Sequence, residues 1–488
     1  MTDKVSLGKL ATGVPGLDVL LGGGLNEFSF NLISGAPGCG KTTMAHQMMF
    51  SLANSERRAL FFTVLGEPPL KMLRYQQQYS YFDMAKVGSA IRYVNLTADL
   101  RAGDFNGVLE RITREVEEFG PSLVFVDSFR SVIQTGRPGQ EGMSDLQYFV
   151  QELGTRMTSW MATTFLIGEY QHHEAEANPI MTVADGMIAL SQHHEGDTVV
   201  RKIRVVKMRG QAHMGGSHTF RITSDGLRIY PRLLPMVAAD RDAGPPSDTE
   251  PQRIATGTPG LDDLLYGGLP QGHSLLAIGP TGCGKTILGT RFLQAGAALG
   301  ETGVLMCFEK GTARLRNAEM TAMIRAGQVT AVESQRIDLT MEELEDELMT
   351  AIDRTGASRV VIDSLSEVSL YLAPQCARNL REGVFRLLTS LARRGVSVVV
   401  TAGLDHTVNM NYARAEFAYI TDAIVAMRYA ETDGQVRRYM AVVKVRGSGH
   451  SNDLREYHIT EDGLEIDPIA APVNGVLFGS TDRLGSGE

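Results

Sequence analysis

The chain has 488 residues, 43% hydrophobic and 21% charged, with a formal net charge of −9. That length exceeds what one hydrophobic core supports and predicts two or three domains. The acidic balance argues against an obligate nucleic-acid binder, and no run approaches the roughly 18 apolar residues of a membrane span.

The opening Met1 to Ser6 lacks the charged-then-apolar pattern of a signal peptide. Four cysteines, Cys39, Cys283, Cys307 and Cys376, form no C-x-x-C pair. A reducing, cytoplasmic compartment fits that usage better than a disulfide framework does.

Ala11 to Asp18 reads A-T-G-V-P-G-L-D and returns as A-T-G-T-P-G-L-D at Ala255 to Asp262. Next comes Phe30 to Ile33, fit for a buried strand, then Gly35-Ala36-Pro37-Gly38-Cys39-Gly40-Lys41-Thr42 and the helix-compatible run Thr43 to Met48. The second copy offers Leu275 to Ile278, then Gly279-Pro280-Thr281-Gly282-Cys283-Gly284-Lys285-Thr286, then Ile287 to Phe292. Both loops read G-x-x-x-x-G-K-T in the strand–loop–helix setting that a phosphate-binding loop requires. Glycines let backbone N–H groups turn around phosphate oxygens at the positive end of the following helix. Lys41 and Lys285 are expected at the β- and γ-phosphates, and Thr42 and Thr286 on Mg²⁺. The backbone from Gly35 through Thr43, and from Gly279 through Ile287, makes up the two nucleotide sites read here.

The register between copies is 244 residues, as from Lys41 to Lys285. So long a constant offset means a duplicated domain rather than a short-period solenoid. The seam is polar and Pro-rich, hence a linker. The division is 1–237 for the first domain, 238–252 for the linker, 253–470 for the second domain and 471–488 for a tail.

Within the first copy, strands are predicted over Ala59 to Val64, Ser122 to Asp127 and Thr163 to Gly168, with helices over Leu109 to Phe119 and Leu146 to Met157. The second repeats this order with strands at Gly303 to Phe308, Arg359 to Asp363 and Val396 to Val400, and helices at Met341 to Asp353 and Leu380 to Arg393. Alternating strands and helices, with near-continuous apolar strands, predict an α/β fold with a mainly parallel, doubly wound sheet in each copy. The ligand belongs beyond the carboxyl ends of the strands.

Asp127-Ser128 and Asp363-Ser364 end apolar strands. A carboxylate there suits the Mg²⁺ partner of an ATPase, or alternatively caps a helix. Glu309, and Glu67 if two residues are inserted before it, are read as polarising the attacking water or as solvated loop acids. Lys207-Met208-Arg209-Gly210 and Lys444-Val445-Arg446-Gly447 close β-rich runs far in sequence from their own loops. Cations two apart on a strand share a face. They suit donors to ATP on a neighbouring subunit, with plain surface charge as the other reading. The tandem histidines His172-His173 and His193-His194 are expected in polar loops and read as solvated rather than metal-binding.

Together the doubled T-G-x-P-G-L-D, the doubled phosphate loop, the two Asp-Ser tips and the two K-x-R-G runs resemble the RecA-like ATPases, and among them the KaiC family of clock ATPases and their relatives. The resemblance spans essentially the whole chain. It implies two tandem RecA-like domains, a homohexamer of two stacked rings, and ATP, ADP and Mg²⁺ at the subunit interfaces. It also implies slow hydrolysis in the first ring, a serine/threonine autokinase in the second, and a regulatory partner at the C-terminal ring. Two departures stand out. The family's Ser-Thr pair before Ile-Thr-Asp is Ala418-Tyr419 here, leaving Tyr419 and Thr421 as acceptors, and the family's second glutamate is replaced by Lys310.

The favoured reading is a Mg-ATP-binding, hydrolysing timer or signalling ATPase. A DNA-binding RecA-like ATPase and a nucleotide-switched assembly scaffold are the alternatives.

Overall fold

The computed structural model describes residues 8–63, 69–101, 105–128, 140–169, 182–232, 252–308, 318–334, 336, 338–403, 417–432 and 434–470. The chain divides into two compact units, Met1–Arg232 and Leu233–Glu488. Residues 238–251 of the linker, the tail 471–488, and Glu67, Glu309, Lys310 and His172-His173 lie outside the described residues.

The first unit contains β1 (Lys9–Leu10), β2 (Leu25–Asn26), β3 (Phe30–Gly35), β4 (Ala59–Thr63), β5 (Ile91–Asn95), β6 (Leu123–Asp127), β7 (Thr163–Gly168), β8 (Gly186–Glu195), β9 (Thr198–Met208), β10 (His218–Thr223) and β11 (Gly226–Tyr230). Nine of these form one sheet in the order β11-β10-β9-β8-β3-β7-β6-β4-β5. The six strands from β8 to β5 are parallel, and β9, β10 and β11 extend the sheet antiparallel.

Alternate side chains along the parallel strands feed two cores, as a sheet covered on both faces requires. Ile33 and Phe125 pack with Met44, Met48 and Met49 of the helix Lys41–Leu52. Leu32, Val124 and Val126 pack with Val108, Ile112 and Val116 of the helix Phe105–Phe119 and with Leu153 and Met157 of the helix Gln140–Ser159.

The second unit has β12 (Arg253–Ile254), β13 (Leu269–Pro270), β14 (Ser274–Gly279), β15 (Gly303–Cys307), β16 (Val329–Glu333), β17 (Arg359–Asp363), β18 (Ser397–Gly403), β19 (Ala423–Thr432), β20 (Gln435–Val445), β21 (Arg455–Thr460) and β22 (Gly463–Ala470). Its sheet order, β16-β15-β17-β18-β14-β19-β20-β21-β22, is the first read from the other edge. Both units are therefore RecA-like α/β domains in tandem.

Most elements fall where the apolar pattern puts them. The helices run longer, to Lys41–Leu52, Phe105–Phe119 and Gln140–Ser159, because the stripe that signals a helix ends before its capping turns do. The T-G-x-P-G-L-D segment folds on itself. Its aspartate accepts from the backbone N–H of its threonine at 2.8 Å in both units, Asp18 from Thr12 and Asp262 from Thr256.

Candidate nucleotide site

Each loop follows the carboxyl end of a central strand and precedes a long helix, Lys41–Leu52 or Lys285–Ala298. Left-handed backbone at Gly38 and Gly40 (φ 75° and 104°) and at Gly282 and Gly284 (φ 81° and 98°) makes the turn that other residues resist. Gly35 is a close approach: a Cβ there would stand 2.2 Å from the Leu190 carbonyl oxygen. Pro37 is exposed, whereas Cys39 and Cys283 are buried, and burial pushes both thiols above their ordinary pKa. These thiols are packing groups, and only their backbone belongs to the loop.

The lysines lie over the loops. Lys41 Nζ donates to the Ala36 carbonyl at 2.9 Å, and Lys285 Nζ to the carbonyls of Gly279 and Pro280 at 2.8 Å. At the second residue of each helix the threonine meets the strand-tip carboxylate: Thr42 Oγ1 donates to Asp127 Oδ2 at 2.6 Å, and Thr286 Oγ1 to Asp363 Oδ2 at 2.8 Å. These pairs lie 85 and 77 residues apart in sequence and are brought together by the sheet order.

A cleft of about 400 Å³ opens beside the second loop, lined by Lys285, Thr286, Ile287, Asp363, Glu367 and Ile459 among others. Thr43 follows the first loop, and its carbonyl accepts from Tyr81 at 3.5 Å.

A hydroxyl, an acid and an ammonium beside inward-turned glycines form a donor set suited to a magnesium nucleotide. The hydroxyl and carboxylate oxygens are hard ligands, and each lysine ammonium lies against the carbonyls of its own loop. The residues present fit the group.

The trans-acting candidates lie elsewhere. Lys207 pairs in register with Met187, and neighbouring Gly186 with Asn31, so this pair sits at the amino end of β3 while the loop follows its carboxyl end. Lys444 pairs with Ile424, which pairs with Leu276, giving the second unit the same separation. The strand spacing puts the cations roughly 10 Å or more from their own loops.

Arg209 and Arg446 stand one residue past the ends of β9 and β20, rather than on the strands as the spacing suggested. A register shift interrupts each hairpin just before its lysine, and pairing resumes beyond it, so that the Arg209 and Arg446 backbone N–H groups donate to the carbonyls of Asp185 and Asp422 at 2.8 Å. Both cations of each pair still share one acid. Asp185 lies beside Lys207 and Arg209, and Asp422 beside Lys444 and Arg446. Burial and the adjoining arginine lower the pKa of Lys207 and Lys444 against the pull of that aspartate.

Arg446 Nη2 also donates to the Tyr419 carbonyl at 3.2 Å, and Lys444 Nζ to those of Ala418 and Thr421 at 2.9 and 2.7 Å. Tyr419 is 63% exposed. Thr421 is fully buried, its hydroxyl donating to the Phe417 carbonyl at 3.1 Å.

Two contributors were missed in the sequence. Thr401, within β18, gives Asp363 a second hydroxyl donor, and Glu367 lines the cleft from the first turn of the helix Leu365–Tyr371. An acid four residues after the strand-tip aspartate was a visible signal for Glu367. Nothing local marks Thr401. His193 and His194 lie on β8 rather than in a loop, paired with Val200 and Val199 of β9, and no group of metal-binding residues occurs among the described residues. No helix among them is long and apolar enough to cross a membrane.

A sequence model of the family described as "ATPase: KaiC" matches residues 10–233 and 254–471. The chain is 28% identical over 496 residues to the circadian clock oscillator protein KaiC of a Picosynechococcus species, covering 98% of this chain and 93% of the relative. The KaiC of Rippkaea orientalis is 28% identical over 499 residues, covering 98% and 92%. The KaiC 1 of a Synechocystis species is 27% identical over 504 residues, covering 98% and 93%.

Proposed function

Because the chain belongs to the KaiC ATPase family, we propose that it is a Mg-ATP hydrolase with two active nucleotide sites, acting as a timer or signalling ATPase. The observation that carries this is the repeated meeting of Thr42 with Asp127 and Thr286 with Asp363 beside a glycine loop. Thr42 and Asp127, and Thr286 and Asp363, would hold Mg²⁺, with the aspartate reached directly or through water. Lys41 and Lys285 would lie along the β- and γ-phosphates. When bound there, Mg²⁺ would neutralise charge on the phosphate oxygens. Glu67 and Glu309 are proposed to orient the attacking water, and ADP is the product.

Among the described residues, Lys285 is the one cation lining the second cleft, and the K-x-R pairs stand toward the amino ends of the central strands. The proposed arrangement is therefore a two-ring homohexamer, in which Lys207 and Arg209, or Lys444 and Arg446, serve the nucleotide of an adjacent protomer. A regulatory protein at the C-terminal ring and a cytoplasmic setting belong to the same proposal. Autophosphorylation is a second reading, favoured by the exposure of Tyr419 on the segment that Lys444 and Arg446 grip.

Combined Lys41→Ala and Lys285→Ala should abolish Mg-dependent phosphate release, and an undiminished rate would overturn the proposal. Light scattering in excess Mg-ATP should show a hexamer; a monomer would remove the trans-acting cations.

A further inference from the structure

The loops of the two units share a sequence pattern but are braced differently from behind. In the second unit the Tyr457 hydroxyl donates to the Cys283 carbonyl at 2.6 Å, and the Tyr457 ring is fully buried. The Tyr429 hydroxyl approaches the Thr281 carbonyl at 3.4 Å, a longer contact. The corresponding positions of the first unit, 237 residues earlier, are Phe220 and Gln192.

The correspondence is structural as well as numerical. Tyr457 pairs with Arg438 across the sheet, and Phe220 pairs with Arg201. A Cβ added at Gly284 would stand 3.5 Å from Ile459, and one at Gly40 would stand 2.7 Å from Ile222 and 3.8 Å from the Phe220 ring. Phe220 thus presses on the same part of its loop, without a hydroxyl to offer.

The consequence follows from the peptide plane. In a trans peptide the C=O and the next N–H point in opposite directions. A bond that holds the Cys283 carbonyl toward Tyr457 therefore aims the Gly284 N–H away from it. Phosphate loops bind through such N–H groups, and one fixed in advance needs no ordering when the ligand arrives.

We propose that Tyr457 is a positioning residue for the second phosphate loop, fixing the Cys283–Gly284 peptide for the nucleotide, and that Phe220 leaves the first loop without this brace. The two sites then differ in affinity, the second being tighter for a nucleoside diphosphate. This rests on the reading that both loops hold nucleotide.

The test is equilibrium binding of a fluorescent ADP analogue with Mg²⁺ to the full chain, one site at a time. The single variants Lys41→Ala and Lys285→Ala are measured first. If neither alters binding, the nucleotide reading itself fails, before either brace position is touched. With the first loop silenced by Lys41→Ala, Tyr457→Phe should weaken binding about tenfold, the scale set by a lost bond that leaves a buried carbonyl unpaired. With the second silenced by Lys285→Ala, Phe220→Tyr should tighten binding severalfold. Calorimetry on the same samples separates the roles, because a packing residue would lower the melting temperature and leave affinity alone. Unchanged affinity in Tyr457→Phe overturns the proposal. Should that variant not fold, Phe220→Tyr decides, and no gain there overturns it as well.

Discussion

Arg209 donates to the carboxylate of Asp185 at 3.2 Å, and Arg446 stands in the same relation to Asp422 at 3.4 Å. Each arginine also caps the carbonyl of the equivalent residue three positions before that aspartate, Thr182 or Tyr419. The duplication thus preserves a three-dimensional arrangement as well as a motif.

This arrangement separates a structural arginine from a catalytic one. The arginine side chains are 54% and 59% exposed, and exposed ion pairs contribute about 0–1 kcal/mol. Arg209→Ala and Arg446→Ala should therefore barely shift the denaturant midpoint. If they act on a neighbour's triphosphate, turnover should fall on the order of 10³-fold. Phosphate release at the wild-type rate in both variants would reduce them to surface charge.

Asp363→Asn keeps an acceptor for Thr286 but removes the charge beside it. In a Lys41→Ala background, Mg-dependent turnover should fall roughly 10²-fold, with more Mg²⁺ needed for half-maximal rate. Titration of phosphate release with Mg²⁺ checks both effects. An unchanged Mg²⁺ dependence would remove Asp363 from the metal site.

Arg359 is 1% exposed and ties three segments of the second unit together. It pairs with Glu301 at 2.6 Å and donates to the carbonyls of Ala255 and Phe292 at 2.7 and 3.1 Å. Arg359→Ala leaves these groups without their partner. It should destabilise the second unit by about 2 kcal/mol, through the cavity and the unpaired buried carbonyls more than through the half-exposed Glu301. Urea unfolding followed by calorimetry should show the loss in one unit's transition, and a shift under about 0.5 kcal/mol would contradict it.

Tyr419 and Thr421 should behave differently as phosphate acceptors. Thr421 has no exposed surface and its hydroxyl is engaged, whereas Tyr419 projects into solvent. After incubation in Mg-ATP, peptide mapping should find Thr421 unmodified and any phosphoryl group lost in Tyr419→Phe. Phosphothreonine at Thr421 would show that the Phe417–Thr421 turn opens during turnover.

The strands β7 and β17 and the helix Leu380–Arg393 have the bounds that the sequence implies. Strands covered on both faces must be apolar throughout, and that requirement is written locally. The glycine loops were legible for a related reason: positive φ and close backbone approach leave few residue choices. Those local constraints determined the fold class, the duplication and the two phosphate loops. Only the tertiary structure put Thr401 on Asp363, Arg209 on Asp185 and Tyr457 behind Cys283. The last pair is 174 residues apart in sequence. Such contacts depend on which strands become neighbours and in what register, and pairing across a sheet leaves no periodic mark on either strand alone.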